Sequence, residues 1–370
     1  MKPCDAARAT YDAAMNAPWP DSIAPGREPD AQDLLRTACE QLAARADRSA
    51  TEGPWASGGM HELASRGILA RFVPADCGGT GADEPTLVTT LAALATACLT
   101  TALAVSQWAA AVRIIAAGPA DLRASLLPRL ARGDCFTTVG ISQLTTSRRH
   151  LGRPAVMAER SAVGWRLDGI CPWVTGADAC ESIVTGAATA DGGQLFVLVP
   201  TTAAGVTIEP PLPLLALAGS RTAVVRLEGV RPAWLIEPPE RNAARTGGLA
   251  TTALALGSAR AAIAVVTAEA TRRESLAPIA ARLELELGEL FNRLDQAAGV
   301  GLEPDGRDSL RAAATDLVLR AGQAALTASK GAGFVAGHPA ERLVRESLFF
   351  LVWSCPPAVT DALLCEMTRG

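Results

Sequence analysis

The spacing of apolar residues changes character twice along the chain. In the first third, apolar residues recur three and four positions apart, as Leu35, Ala38 and Leu42 do, which is the period of an amphipathic helix. From residue 135 the apolar segments become short and are separated by turn formers such as Asp191-Gly192-Gly193, which is typical of strands. Helical periodicity returns after Pro238-Pro239. The pattern therefore predicts an α+β multidomain protein.

Three domains follow from these two changes. We expect an N-terminal helical domain at residues 1–134, a middle β-sandwich or β-barrel domain at residues 135–238, and a C-terminal helical domain at residues 239–370. In the first domain a long helical pattern covers residues 85–117, and residues 68–74 are expected to be extended. The last domain carries four helical segments, at residues 249–274, 277–297, 309–330 and 341–353.

Composition narrows the classes of function. The 370 residues are 49% hydrophobic and 19% charged, with a net charge of −4 and no cluster of lysine and arginine, so no nucleic-acid partner is expected. The apolar stretch at residues 87–111 is broken by Thr, Ser and Gln, which predicts buried helices and no membrane span. Nine cysteines without CxxC spacing indicate reduced thiols, which together with a polar N-terminus predict a cytoplasmic protein. The three histidines lie far apart, so no metal site is predicted.

Five motifs occur along the chain in a consistent order. They are residues 67–81 (GILARFVPADCGGTG), 117–134 (AGPADLRASLLPRLARGD), 164–177 (GWRLDGICPWVTGA), 220–232 (SRTAVVRLEGVRP) and 330–334 (KGAGF). Together they resemble the acyl-CoA dehydrogenase family over most of the chain, and the third motif is the most specific. The resemblance implies that family's fold, in which the C-terminal domain is a four-helix bundle.

The resemblance also implies a cofactor and a class of substrate. FAD would be held between the β domain and the C-terminal helices, and the substrate would be an acyl thioester. By resemblance, Trp173 and Thr175 are the residues beside the flavin ring, where an indole can cover one face and a hydroxyl can tune the ring electronics. Taken alone, Trp173 is better explained as a core aromatic. In the context of the motif, the flavin role is favoured.

The loop after the first strand departs from the family pattern. Residues 142–150 read SQLTTSRRH where the family has Thr-Glu-x-x-x-Gly-Ser-Asp. Ser142 keeps a hydroxyl and Gln143 replaces the acid isosterically, so both are candidate cofactor-binding residues. Arg148 and Arg149 are candidate substrate-binding residues, because a guanidinium binds phosphate in a bidentate manner. The alternative is an exposed basic loop with no ligand.

Two further candidates for cofactor binding lie in the C-terminal helices. Arg272, or Arg273 beside it, stands near the place of an arginine that reaches the FAD of the partner subunit in many family members, although the Phe-Gly of that motif is absent here. The alternative is an arginine that complements the dipole at a helix end. Gly331 belongs to the KGAGF motif, where glycine permits close approach of a ligand or a partner helix.

The position of the family's catalytic base is occupied by Ser354. Aligning residues 330–334 and 343–346 with the family puts Ser354-Cys355-Pro356 on its Glu-Gly-Thr triplet, whose glutamate removes the α-proton of the thioester in many members. A hydroxyl without a neighbouring base is a poor proton acceptor at neutral pH. The alternative base position, within residues 247–254, also has no carboxylate. Glu346 and Asp361 are the nearby acids.

Three functions are therefore open. The first is a flavoprotein oxidoreductase that acts on the CH–CH group of an acyl thioester or a related substrate, without the usual base. The second is a flavin-dependent monooxygenase on the same fold, which needs no base for an α-proton. The third is a non-catalytic scaffold homologue that has lost flavin chemistry. In each case the apolar C-terminal helices and the resemblance predict a homodimer or homotetramer.

Overall fold

The structure, a computed structural model, describes residues 29–142, 155–162, 164–236, 248–353 and 357–368. The chain divides into two compact units, each assembled from several stretches of sequence. The helical unit comprises residues 1–47, 83–102 and 247–370, and the β unit comprises residues 48–82 and 103–246.

Six helices precede the strands in the described part of the chain. They are α1 (Pro29–Ala44), α2 (Ala46–Glu52), α3 (Gly59–Ser65), α4 (Glu84–Ala97), α5 (Leu99–Ala116) and α6 (Ala120–Arg132). Helix α4 begins where the Asp83 carboxylate accepts the Thr86 N–H at 3.0 Å, an N-cap that satisfies a donor of the first turn. The long helical pattern at residues 85–117 is therefore two helices, since the backbone is extended at Cys98 (φ −159°, ψ 104°).

The segment expected to be extended at residues 68–74 is different in the structure. Leu69–Phe72 form a 3₁₀ turn, so that expectation is wrong for these residues. The carbonyl oxygens of Ala70 and Val73 accept hydrogen bonds from the N–H groups of Thr80 and Gly81, both at 2.9 Å. The glycine-rich loop thus supplies the backbone partners that a strand would take from a sheet.

Eight strands of the β unit form one connected sheet among the described residues. They are β1 (Thr137–Gly140), β2 (Val156–Ser161), β3 (Gly164–Val174), β4 (Ser182–Thr189), β5 (Gln194–Pro200), β6 (Val206–Ile208), β7 (Ala223–Val230) and β8 (Trp234–Ile236). The order is β6-β7-β3-β2-β4-β5-β8, and β1 pairs in parallel with β4. Alternate residues of β7 such as Ala223, Val225 and Leu227 are buried, which follows from the two-residue period of a strand.

Five helices follow the strands within the described residues. They are α7 (Leu249–Ala270), α8 (Ala277–Val300), α9 (Pro304–Ser329), α10 (Pro339–Ser347) and α11 (Pro357–Met367). Helix α7 is central to the helical unit, where it packs against α4, α8, α9 and α10. Most of its residues are buried, as expected for a helix surrounded by other helices.

Two described helices, Leu99–Ala116 and Leu249–Ala270, are long and apolar enough to cross a membrane. Their apolar windows are 67% and 89% buried inside the protein, which is the burial of core helices.

The fold class is confirmed: a helical N-terminal region, a middle β-sheet region and a C-terminal region of several helices follow one another along the chain. The domain boundaries at residues 134 and 238 stay a prediction.

Candidate functional site

The end of β1 is pressed against the end of β3 in the β unit. A Cβ atom at Gly140 would lie 3.0 Å from Cγ2 of Val174 and 3.4 Å from Cγ2 of Ile183, so glycine allows an approach that a side chain would obstruct. The Thr185 hydroxyl donates to the Gly140 carbonyl at 2.7 Å and fixes the strand end. Two residues span at most about 7 Å, so Ser142 lies within about that distance of Gly140.

Trp173 occupies the penultimate position of β3 and its side chain is turned outward. It is 48% exposed, whereas its neighbour Val174 is fully buried. Successive side chains of a strand point to opposite faces, so Val174 enters the core and Trp173 leaves it. The alternative interpretation of Trp173 as a core aromatic is therefore wrong.

Thr175 follows β3 and belongs to a chain of buried hydroxyl groups. Its Oγ1 lies 3.2 Å from Oγ1 of Thr222, which lies 2.8 Å from the Ser220 Oγ. The Gly176 N–H donates to the Ser220 carbonyl at 3.0 Å, so the turn after β3 is tied to the turn before β7. Because a hydroxyl both donates and accepts, this chain holds the Thr175 side chain in a defined orientation.

Trp55 covers the turn that follows Thr175. A Cβ atom at Gly176 would lie 2.0 Å from Cη2 of the Trp55 ring, and Gly176 has a φ of 63°, so glycine is required on both counts. The indole N–H of Trp55 is buried and has no hydrogen-bond partner among the described residues. No motif in the sequence pointed to Trp55, because Trp55 and Gly176 are far apart along the chain.

Cys171 lies in β3 two residues before Trp173 and is not a nucleophile at neutral pH. Burial raises the pKa of its thiol to about 11, partly offset by a hydrogen-bonding contact of 3.2 Å with the Thr185 hydroxyl. The thiolate is the reactive form of cysteine, and its population at neutral pH is very small here. The thiol is therefore a small packing group, as its burial indicates.

Arg272 and Gly331 belong to the helical unit. The Arg272 guanidinium donates to a carboxylate oxygen of Glu269 at 3.3 Å on the last turn of α7. Its neighbour Arg273 also pairs with Glu269, at 3.0 Å, and donates to the Ala328 carbonyl near the end of α9. Gly331 is exposed in the 3₁₀ turn Lys330–Phe334 that follows α9. The two predicted residues thus lie at the same end of the helical unit.

Gln143, Arg148, Arg149 and Ser354 lie outside the described residues. Their assignments stay predictions, as does the absence of the base.

The two acids near Ser354 in sequence have different environments. Glu346 is 2% exposed and accepts from the Arg342 guanidinium at 3.1 and 3.4 Å. Burial raises the pKa of Glu346, while Arg342 acts in the opposite direction. Asp361 is exposed on α11. Glu346 is therefore a partner of Arg342 in the core and is not available to a substrate.

No group of three His, Cys, Asp or Glu side chains suited to a metal ion occurs within the residues that the structure describes.

A family model and a known protein both match the sequence of this chain. Residues 29–134 match the family described as acyl-CoA dehydrogenase, N-terminal domain. The probable acyl-CoA dehydrogenase YngJ of Bacillus subtilis (strain 168) is 24% identical over 342 residues, which cover 84% of this chain and 89% of that protein.

Solved structures with the same fold cover nearly the whole chain. Butyryl-CoA dehydrogenase from Megasphaera elsdenii has a TM-score of 0.79 at 17% identity, covering 93% of this chain and 99% of its own. Glutaryl-CoA dehydrogenase from Mycobacterium smegmatis in complex with FADH2 has a TM-score of 0.77 at 21% identity, covering 92% and 95%. The dibenzothiophene monooxygenase TdsC from Paenibacillus sp. A11-2 has a TM-score of 0.70 at 18% identity, covering 87% and 92%. At these identities the likeness establishes the fold and no particular reaction.

Proposed function

Because the chain belongs to the acyl-CoA dehydrogenase family, we propose that it is an FAD-dependent oxidoreductase acting on the CH–CH group of an acyl thioester or a related substrate. The observation that carries this proposal is the outward-facing, half-exposed indole of Trp173, two residues before the buried and hydrogen-bonded Thr175. A large apolar ring left half exposed at the end of a strand is suited to a planar ligand.

The residues at the end of β3 fit a flavin. Trp173 would cover one face of the ring system and exclude water from it, and the Thr175 hydroxyl would meet a polar edge of the ring. Thr222 and Ser220 keep the Thr175 hydroxyl in place through their hydrogen bonds. When bound, FAD supplies the acceptor for the two electrons that oxidation of carbon releases.

This chain would differ from members that carry the glutamate in how a proton is removed. Ser354 stands at the predicted position of the base, and Glu346 is buried in its pair with Arg342. We therefore propose that the wild-type chain removes an α-proton slowly. A carboxylate at position 354 would supply the general base, which typically contributes about 10²- to 10⁴-fold to a rate.

A flavin-dependent monooxygenase is the second candidate. The specific observation in its favour is Ser354, because oxygen activation by a flavin needs no base for an α-proton. The dibenzothiophene monooxygenase TdsC has the same fold, which supports this candidate.

One experiment separates these candidates. FAD-loaded protein and the Ser354→Glu variant are mixed anaerobically with butyryl-CoA or glutaryl-CoA, and the visible flavin absorption is followed. We expect the flavin absorption of the wild type to fall slowly and that of the variant to fall at least about tenfold faster. A wild type that bleaches with neither thioester, but transfers an oxygen atom to an aromatic sulfide such as dibenzothiophene when its flavin is reduced chemically and oxygen is then admitted, favours the monooxygenase. Oxygen uptake alone does not count, because reduced flavin reacts with oxygen without a monooxygenase. Absence of both reactions favours the non-catalytic scaffold.

We also propose a homodimer or homotetramer in the cytoplasm. The described helical unit exposes large apolar side chains, among them Leu285 (67%), Phe334 (81%) and Val352 (79%), which a second copy could cover. None of the seven cysteines among the described residues forms a disulfide, and five of them are buried, which suits a reducing compartment. Light scattering coupled to gel filtration tests the proposed assembly, and a monomeric mass would contradict it.

A further inference from the structure

Arg311 is a charged residue in the core of the helical unit. It lies on α9 next to the buried residues Leu310 and Ala314, and it is only 2% exposed. Burying a guanidinium is unfavourable unless hydrogen bonds and charge contacts compensate for its lost hydration. The contacts of Arg311 therefore decide how its burial is tolerated.

The guanidinium of Arg311 bridges two distant parts of the chain. Nη1 donates to the Thr251 carbonyl at 2.7 Å, and Nη2 donates to the Trp353 carbonyl at 3.2 Å. Its central carbon lies 5.5 Å from the ring centroid of Phe350, within the range of a cation–π contact. Three independent contacts thus fix the orientation of one side chain.

The two carbonyl groups that accept from Arg311 lie within or directly beside the two positions where the base is found in family members. Thr251 lies in the first turn of α7, within the segment that holds the base in some family members. Trp353 immediately precedes Ser354, the residue at the other base position. Because each hydrogen bond is charge-assisted, the pair resists separation of these two segments more strongly than neutral hydrogen bonds would.

We propose that Arg311 is a positioning residue of the substrate site, which holds the first turn of α7 and the Phe350–Trp353 segment at a fixed separation. This inference rests on the proposed function for its catalytic consequence, although the geometric link stands without it. Nothing in the sequence identified Arg311, because its partners lie far away along the chain.

The planar fork of arginine is essential to this role. Two different nitrogens reach two different carbonyls, and the central carbon between them lies over the Phe350 ring. Lysine presents a compact ammonium and cannot reproduce that plane. Arg311→Lys should therefore retain charge but lose one link, and Arg311→Met should lose both while filling the space.

The test measures hydrogen exchange, peptide by peptide, in the full-length protein and in Arg311→Met, Arg311→Lys and Arg320→Met. Arg320 is the matched control, since it lies on the same helix but pairs at the surface with Asp316 and Glu286. We expect exchange to rise about tenfold in peptides covering residues 249–253 and 348–353 in Arg311→Met, less in Arg311→Lys, and not at all in Arg320→Met. Equal acceleration throughout the helical unit, or none, would overturn the proposal.

A kinetic readout adds the catalytic consequence. In thioester oxidation, displacement of the two segments should lower kcat about tenfold in Arg311→Lys with little change in KM, since the thioester is bound but misplaced. If the protein oxidises no thioester, the proposed function fails while the exchange result still decides the role of Arg311. If Arg311→Met does not fold, the same two peptides in Arg311→Lys decide it.

Discussion

At the residue scale, two tryptophans at opposite ends of β3, Trp173 and Trp165, allow a test of whether the Trp173 indole binds FAD. Trp165 packs against the core of the sheet, whereas Trp173 is 48% exposed. We expect Trp173→Ala to weaken FAD binding roughly fivefold, because an aromatic contact is worth about 1 kcal/mol, and to change the melting temperature little. Trp165→Ala should do the reverse. Fluorescence titration with FAD and thermal melting measure both quantities, and loss of affinity in Trp165→Ala alone would contradict the assignment.

The thiols give a second prediction at this scale. Burial raises the pKa of Cys135 and Cys171 to about 11, while Cys365 is exposed. A maleimide at pH 7 should therefore label Cys365 quickly and the two buried thiols only after unfolding. Because the thiolate reacts, labelling of the buried pair should accelerate as the pH approaches 11. Peptide mass spectrometry with and without urea provides the measurement, and rapid native labelling of Cys171 would contradict the structure.

The residues singled out from the sequence and those noticed only in the structure differ in the range of their contacts. The motif around Trp173 and Thr175 is contiguous, so the sequence alone singles them out, and their place beside a flavin stays a prediction. The strand period explains why Trp173 faces outward. Trp55 and Arg311 act through Gly176 and through the carbonyls of Thr251 and Trp353. Contacts between residues far apart along the chain produce no periodic pattern in a single sequence, so only the structure reveals them.

At the element scale, the start of α10 depends on a histidine in its neutral form. His338 is buried, and its Nδ1 accepts the Ala340 N–H at 3.1 Å as the N-cap. Burial lowers the pKa of His338 below its ordinary value of 6.5, although Glu269 acts in the opposite direction. The contribution of the cap is therefore complete above pH 6.5 and is lost as the pH falls through the lowered pKa, because a protonated Nδ1 cannot accept.

Two variants test this cap. His338→Ala should lower the free energy of unfolding by about 1 kcal/mol at pH 8, the typical value of an N-cap. His338→Asn should keep the cap and remove the dependence on pH between 6.5 and the lowered pKa, since asparagine does not titrate. Urea unfolding at pH 8 and pH 5 supplies the comparison. An Asn variant that loses stability with pH as steeply as the wild type would contradict the account.

The crossing of α4 and α7 gives a second prediction for an element. A Cβ atom at Gly257 would lie 2.2 Å from the Ala92 carbonyl oxygen and 2.9 Å from Cβ of Ala95, so Gly257→Ala forces the helices apart. We expect a loss of about 1–3 kcal/mol, the usual cost of overpacking. The control is Gly288→Ala in α8, where the added Cβ meets no atom within 4 Å and should gain up to about 1 kcal/mol. Thermal melting measures both changes, and equal behaviour of the two variants would contradict the packing.

Helix positions were predictable because burial follows the helical period, whereas the interruption at Cys98 was not. Helices α4 and α5 are both rich in Ala and Leu, and no proline or glycine separates them. The break is therefore a tertiary effect that overrides local propensity. The 3₁₀ turn at Leu69–Phe72 has the same kind of cause, since its carbonyls bond to the following loop.

At the scale of the whole molecule, each compact unit is assembled from separate stretches of the chain. The helical unit combines residues 83–102 with the C-terminal helices, and the β unit takes helices from the N-terminal region as well as the sheet. Hydrophobic periodicity reports the type of each element and its order. It carries no information about which distant elements share a core, so the sequence could predict the order of regions but not this assembly.

Retention of FAD by the purified protein decides whether this chain keeps flavin chemistry, as we propose. Purified protein would be incubated with excess FAD, passed through gel filtration and examined by visible absorption. We expect flavin absorption to co-elute with the protein and to be reduced in Trp173→Ala. Colourless protein after incubation with both FAD and FMN would contradict the account, and Ser354 would then belong to a scaffold that no longer binds flavin.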